Sequence, residues 1–283
     1  MELSRRNFLL GASAVALKHW FPDDHFDKIV QKAKRENWKA LDLGELVATV
    51  GRQFVGTPYL ANSLEISDDR ETCVVRLDGF DCVTFYETSL CFARIILAGR
   101  ITWDDLVGEV TFVRYRGGKL NGYLARLHYT SDWIHDNVVK GVVEDIGARL
   151  PGANRLHKKI DFMSSHAKLY RQLAAHADWV PKMASLEAAI TARSPIYVPN
   201  DHLGEVEPLL RSGDIVGIVT EKAGLDCSHT GLLSRQDGSL RFVNASTLTH
   251  CVRDDQSLIS YLAGSSSSLG IMIARPKKKP FSV

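Results

Sequence analysis

The stretch Leu77 to Thr88 reads LDGFDCVTFYET. Gly79 breaks the chain, Asp81 is suited to cap a helix, and Cys82 opens an apolar run that continues to Gly99. A run that is apolar almost all round predicts a buried helix, with Gly99 as its C-terminal stop. A cysteine in the first turn of such a helix sits among unpaired backbone N–H groups at the positive helix end. That position favours a thiolate and predicts a thiol pulled down from its ordinary value of about 8.5. Most cysteines are small buried hydrophobes, so the nucleophile reading of Cys82 needs partners elsewhere in the chain.

Outward from this segment, Phe26 to Asn37 and Leu43 to Phe54 carry helical spacing, the second through Leu43, Leu46, Val47, Val50 and Phe54. Gly56-Thr57-Pro58-Tyr59 then turns the chain. Cys91 lies nine residues beyond Cys82, half a turn out of phase, and reads as core. Trp103 to Val113 reads as a short helix or strand. Next comes Arg114-Tyr115-Arg116-Gly117-Gly118, and then Tyr123 to Trp133, where Arg126, His128 and several aromatics crowd together. Such a mixture suits either a loop that grips a polar, partly ring-shaped ligand or a structural loop in which Ser131 or Asp132 caps the next helix. For Asp132 the cap is the preferred reading. From Trp133 to Thr191 the pattern is mostly helical, broken at Pro151-Gly152 and Pro181. No internal repeat is present, and Ser265 to Ser268 reads as a loop.

From Gly213 the period changes to two. Asp214 to Thr220, Ser228 to Ser234, Leu240 to Ala245 and Gly270 to Ala274 read as strands, with a turn at Gln236-Asp237-Gly238. Helices followed by an antiparallel sheet predict an α+β fold. In the Ser228–Ala245 hairpin, His229, Gly231 and Leu233 share one face, as do Leu240, Phe242 and Asn244. A four-residue loop sets His229 directly opposite Asn244, and a two-residue Asp237-Gly238 turn sets them diagonally on the same face. A His beside an Asn, with a helix-opening Cys elsewhere, is the Cys–His–Asn arrangement of acyl transfer. Zinc is a poor alternative, because Cys227, His229, His250 and Cys251 lack chelating spacings. A Cys227–Cys251 disulfide is left open by the sequence.

The net charge of +2 gives no reason to invoke nucleic acid or an anionic membrane, and 45% hydrophobic residues suffice for a sizeable core. Five cysteines are too few for a disulfide scaffold. Ser4-Arg5-Arg6-Asn7-Phe8-Leu9-Leu10 and the small apolar residues to Leu17 look like a twin-arginine export signal, with Ala14-Val15-Ala16 as a cleavage site. The alternative is an accidental Arg pair before a first helix. The sequence reading therefore sets residues 1–20 aside as a signal, takes 21–283 as one domain, and expects a periplasmic protein handled by the export machinery.

Together GTPY near residue 57, FDCVTF around Cys82, GLDCSHTGLL around His229 and FVNAS around Asn244 resemble the NlpC-type cell-wall cysteine hydrolases. RYRGG, RLHYTSDW, DFMSSHAKLY and GLDxSHTG are similar, more narrowly, to the N-acetylmuramoyl-L-alanine amidase-like branch, over about residues 40 to 275. The resemblance implies a papain-like α+β fold, an antiparallel sheet packed on the nucleophile helix, and helical insertions. It implies Cys82 as nucleophile, His229 as base and Asn244 as the third residue, at a position where this branch often has His. It also implies cleavage of the amide between N-acetylmuramic acid, often in its anhydro form, and L-alanine in peptidoglycan fragments, with no metal or organic cofactor. On this reading Tyr59 and Asp81 flank the nucleophile, and Tyr123, Arg126, His128, Tyr129 and Trp133 join them as substrate-binding candidates. Arg126 is assigned to a substrate carboxylate or, failing that, to a structural pair with Asp132 or Asp136. Two other classes of function fit the same residues: a different acyl chemistry, as a peptidase cutting the stem between D-glutamate and the diamino acid or as a thiol acyltransferase, and an inactive periplasmic binding protein.

Overall fold

A computed structural model describes residues 24–254 and 256–278. Residues 1–20, read from the sequence as an export signal, lie outside the described residues. Five longer helices come first: α1 (Asp24–Arg35), α2 (Leu43–Gln53), α3 (Cys82–Ala98), α4 (Trp103–Arg114) and α5 (Thr130–Val139). Trp103 to Val113, left open between helix and strand, is helical because Thr102 and Asp105 form a capping box at its start. The region read as mostly helical contains two short strands, β1 (Val143–Asp145) and β2 (Asn154–Arg155), before α6 (Phe162–Ser165), α7 (Arg171–Ala175) and α8 (Val180–Arg193). Then follow β3 (Ile196–Pro199), α9 (Leu203–Val206), β4 (Ile215–Thr220), β5 (Cys227–Gln236), β6 (Ser239–Ser246), β7 (Cys251–Arg253), α10 (Leu258–Ala263) and β8 (Ser268–Pro276).

These strands form one antiparallel sheet in the order β2-β3-β8-β4-β5-β6-β7, with β1 also on β8. Helices and an antiparallel sheet confirm the α+β class. Alternation divides the side chains between two cores. Ile215, Val219, Leu232, Val243 and Met272 pack with α1 to α4. Val216, Ile218, Leu233, Phe242 and Ile273 pack on the other side with Leu203, Leu258 and Leu262. A third cluster joins Tyr123 and Tyr129 to Ile160, Met163, Leu173, Met183 and Ile190.

Helix α3 is the axis of the helical layer, and Leu90, Cys91 and Phe92 along it are fully buried. Asp81 Oδ1 accepts from the backbone N–H of Val83 (2.9 Å) and Thr84 (2.7 Å), and the Thr84 hydroxyl accepts from the Asp81 N–H (2.9 Å). This closed capping box fixes where the helix begins, a contribution of roughly 0.5–2 kcal/mol. Gly99, at φ 71°, takes the left-handed conformation that ends it.

Candidate active site

The capping box leaves Cys82 as the first residue of α3, partly exposed. Opposite it, the β5–β6 hairpin turns on Asp237 (φ 48°) and Gly238 (φ 80°), the two-residue turn. The ladder runs from Gln236↔Ser239 to Leu232↔Val243, so His229 and Asn244 sit diagonally on one face. There His229 Nε2 lies 3.0 Å from Asn244 Oδ1. The ring also stacks on Tyr261 of α10 (5.8 Å between centroids, 20° between planes) and meets Phe242 edge-on at 6.1 Å. An amide oxygen can only accept, so the bond places a proton on Nε2 and leaves Nδ1 with its lone pair.

Cys82 and His229 are not hydrogen-bonded. The sulfur's neighbour on β5 is Thr230, whose hydroxyl and backbone N–H both favour its ionised form. Apo catalytic contacts are often longer than those in a working complex. Burial first, and the adjacent Asp81 carboxylate second, push the Cys82 thiol up to about 11. The lowered thiol expected from the helix start is therefore not found: desolvation and a like charge outweigh the helix end. Burial also holds His229 below its ordinary value, against the opposing hydrogen bond that the ring donates to Asn244. At neutral pH the pair rests as thiol and imidazole. The Tyr59 hydroxyl, pushed up to about 12 by burial and by Cys82 and Asp81, stays protonated beside them as a donor.

The other binding candidates are placed differently from their sequence reading. Asp81 is committed to the helix cap. Trp133 is buried and its indole N–H donates to Glu87 Oε1 (3.0 Å), while Arg114 Nε donates to the other oxygen of that carboxylate (2.7 Å). Tyr129 donates to Glu187 (2.5 Å). His128, half-buried, bonds through Nε2 to the Tyr123 carbonyl (2.9 Å). Tyr123 donates to Glu65 (3.0 Å), and Arg126 pairs with Glu65 (3.0 Å) and Glu71 (3.5 Å) rather than with Asp132 or Asp136. Asp132 is not the cap of α5: Tyr129 holds that position, and Asp132 sits in the first turn, paired with Arg116 and Arg193. The crowded segment is an internal polar cluster that pins the loop carrying Glu65 and Glu71, which leads into Gly79 and Cys82. The distant acids that satisfy it leave no local mark in the sequence. Cys227 and Cys251 are both free thiols, and the Cys227 sulfur lies 3.9 Å from Met272 Sδ. No group of residues able to hold a metal occurs among the described residues.

Arg126→Ala is expected to destabilise the fold by about 3 kcal/mol, because it leaves the buried Glu71 carboxylate, and the half-buried Glu65 beside it, without their shared cation. Urea unfolding measures the loss. Any fall in activity should be equal on substrates with free and amidated carboxylates. Unchanged stability with a loss confined to the free acid would return Arg126 to the substrate.

Sequence reading also missed two neighbours of the candidate triad. Thr230 adjoins His229 and could have been found from that adjacency. Tyr261 reaches the site from a separate helix, and no local spacing announces it.

Against known proteins, residues 49–271 match the AmiA-like family model, described as N-acetylmuramoyl-L-alanine amidase-like. A solved N-acetylmuramoyl-L-alanine amidase from Bacteroides uniformis is similar at 33% identity and a TM-score of 0.77, over 83% of this chain and 99% of that one. A proposed xylanase from Bacteroides fragilis is similar at 34% identity and a TM-score of 0.73, over 81% and 99%. A Legionella pneumophila protein at 22% identity shares the fold, with a TM-score of 0.65 over 92% and 98%. A comparison with curated proteins returned no match. The extent of the family match and the identity to the Bacteroides uniformis enzyme place this chain in the N-acetylmuramoyl-L-alanine amidase-like, or AmiA-like, family.

Proposed function

We propose that the protein hydrolyses the amide between N-acetylmuramic acid and L-alanine in peptidoglycan fragments, anhydro-muropeptides among them, by cysteine nucleophilic catalysis. The observation that carries the proposal is the His229–Asn244 pair at 3.0 Å, across the two strands, β5 and β6, that pack against the capped Cys82 helix. On this reading the fold is of the papain-like NlpC type, and residues from 21 onward form one amidase domain. Asn244 orients the ring through Nε2, and Nδ1 takes the Cys82 proton as the sulfur attacks the lactyl carbonyl. The Cys82 backbone N–H and the Tyr59 hydroxyl hold the oxyanion. The imidazolium then protonates the departing alanine nitrogen, and water, activated by the same ring, cleaves the thioester. The Arg5-Arg6 motif supports a periplasmic setting for this chemistry, acting on material released from the wall.

Mass analysis of products from a defined anhydro-muropeptide tests the proposal. The expected products are the free sugar acid and a peptide beginning with L-alanine. A fragment in which sugar, L-alanine and D-glutamate remain joined would replace the amidase with a stem peptidase. An intact substrate would favour a binding protein.

A further inference from the structure

Thr230 is 2% exposed, and its hydroxyl has no partner at hydrogen-bonding geometry. Burying an unpaired hydroxyl is unfavourable, and valine would fill the same β-strand position without that cost. The site leaves little slack. Thr230 is in register with Gly217, where even a Cβ would come within 2.7 Å of Thr130 and 2.8 Å of the Cys227 sulfur. The group the hydroxyl does face is the Cys82 sulfur at the start of α3. Around that sulfur stand Asp81 at the cap, Tyr59 on the preceding turn, Tyr86 one turn along α3, Cys227 on β5, and Tyr261 on α10, on whose ring His229 stacks.

We propose that the Thr230 hydroxyl is a catalytic donor to the Cys82 sulfur, unspent in the resting thiol and engaged when the thiolate forms. The inference rests on the reading of Cys82 as nucleophile. As the S–H proton passes to His229 Nδ1, the sulfur becomes an acceptor and the Thr230 O–H donates to it. Proton and charge balance within the site. The hydroxyl thus offsets part of the penalty that burial and Asp81 place on the thiolate.

The test uses Thr230→Val and Thr230→Ser in the full chain. The pH dependence of iodoacetamide alkylation at Cys82, followed by peptide mass mapping, reads the thiol directly. Thr230→Val is expected to raise the Cys82 titration by about one unit, so that thiolate at a given pH falls about tenfold. It should also lower kcat about tenfold with KM unchanged, while Tm holds or rises because the buried hydroxyl is gone. Thr230→Ser should restore titration and turnover. A Thr230→Val protein with wild-type titration and kcat would overturn the proposal, as would a fall in KM-dependent binding alone. Should Thr230→Val not fold, Thr230→Ala removes the same donor and is read the same way. The outcomes separate from the parent reading: full activity in Cys82→Ala ends the nucleophile assignment, whereas an inert Thr230→Val beside an inactive Cys82→Ala ends only this one.

Discussion

Cys82→Ala is expected to abolish muropeptide hydrolysis, with a loss of roughly 10⁴-fold or more in kcat, because no other group can form the acyl intermediate. The fold should survive. The cap of α3 is made by Asp81 with Val83, Thr84 and the Thr84 hydroxyl, and none of those bonds uses Cys82. Alanine is also a good helix former. Steady-state rates and a melting curve check both halves, with Tm expected to move by no more than about 4 °C. An equally inactive variant that has unfolded would say nothing of chemistry. A folded variant with full activity would remove Cys82 from the mechanism.

His229→Ala should cost nearly as much, since loss of a general base alone is worth roughly 10²–10⁴-fold. Combined with Cys82→Ala it should add almost nothing, because residues that act as one unit are not additive. The pH profile carries the sign. Burial holds His229 below 6.5, so the ring is neutral and able to accept a proton throughout the neutral range. Wild-type kcat/KM should therefore stay flat as pH falls to 6.5 and decline only below it, as the ring gains its proton. The thiol, pushed up to about 11, should alkylate slowly at pH 7 and faster as pH rises towards that value. A thiol that alkylates fully at acid pH would instead mean a resting thiolate–imidazolium pair.

Helix α3 was legible because its start and stop are local: Gly79 and Asp81 before it, Gly99 after it, and a largely apolar run between. The His229–Asn244 neighbourhood was legible because Asp237-Gly238 fixes a two-residue turn, and strand alternation carries that register to both residues. The thiol's protonation was misread because the helix end is a local feature, whereas the desolvation that outweighs it comes from elements remote in sequence. Tyr123 to Trp133 was misread for a related reason. Arginine, histidine and tyrosine without a core period look like a binding surface. They are buried because Glu65, Glu71, Glu87 and Glu187 reach them from other elements. β1, β2, β3 and β7 have two to four residues each, too few for a period to register.

The central claim is that Cys82 takes the acyl group of the sugar acid. Acid quenching of the enzyme during turnover of an anhydro-muropeptide, followed by mass mapping of the Cys82 peptide, tests it most directly. The expected result is an adduct on Cys82 equal to the muramoyl acyl group alone, absent in Cys82→Ala. An adduct that also contains L-alanine and D-glutamate, or turnover during which Cys82 stays unmodified while another side chain is acylated, would contradict it.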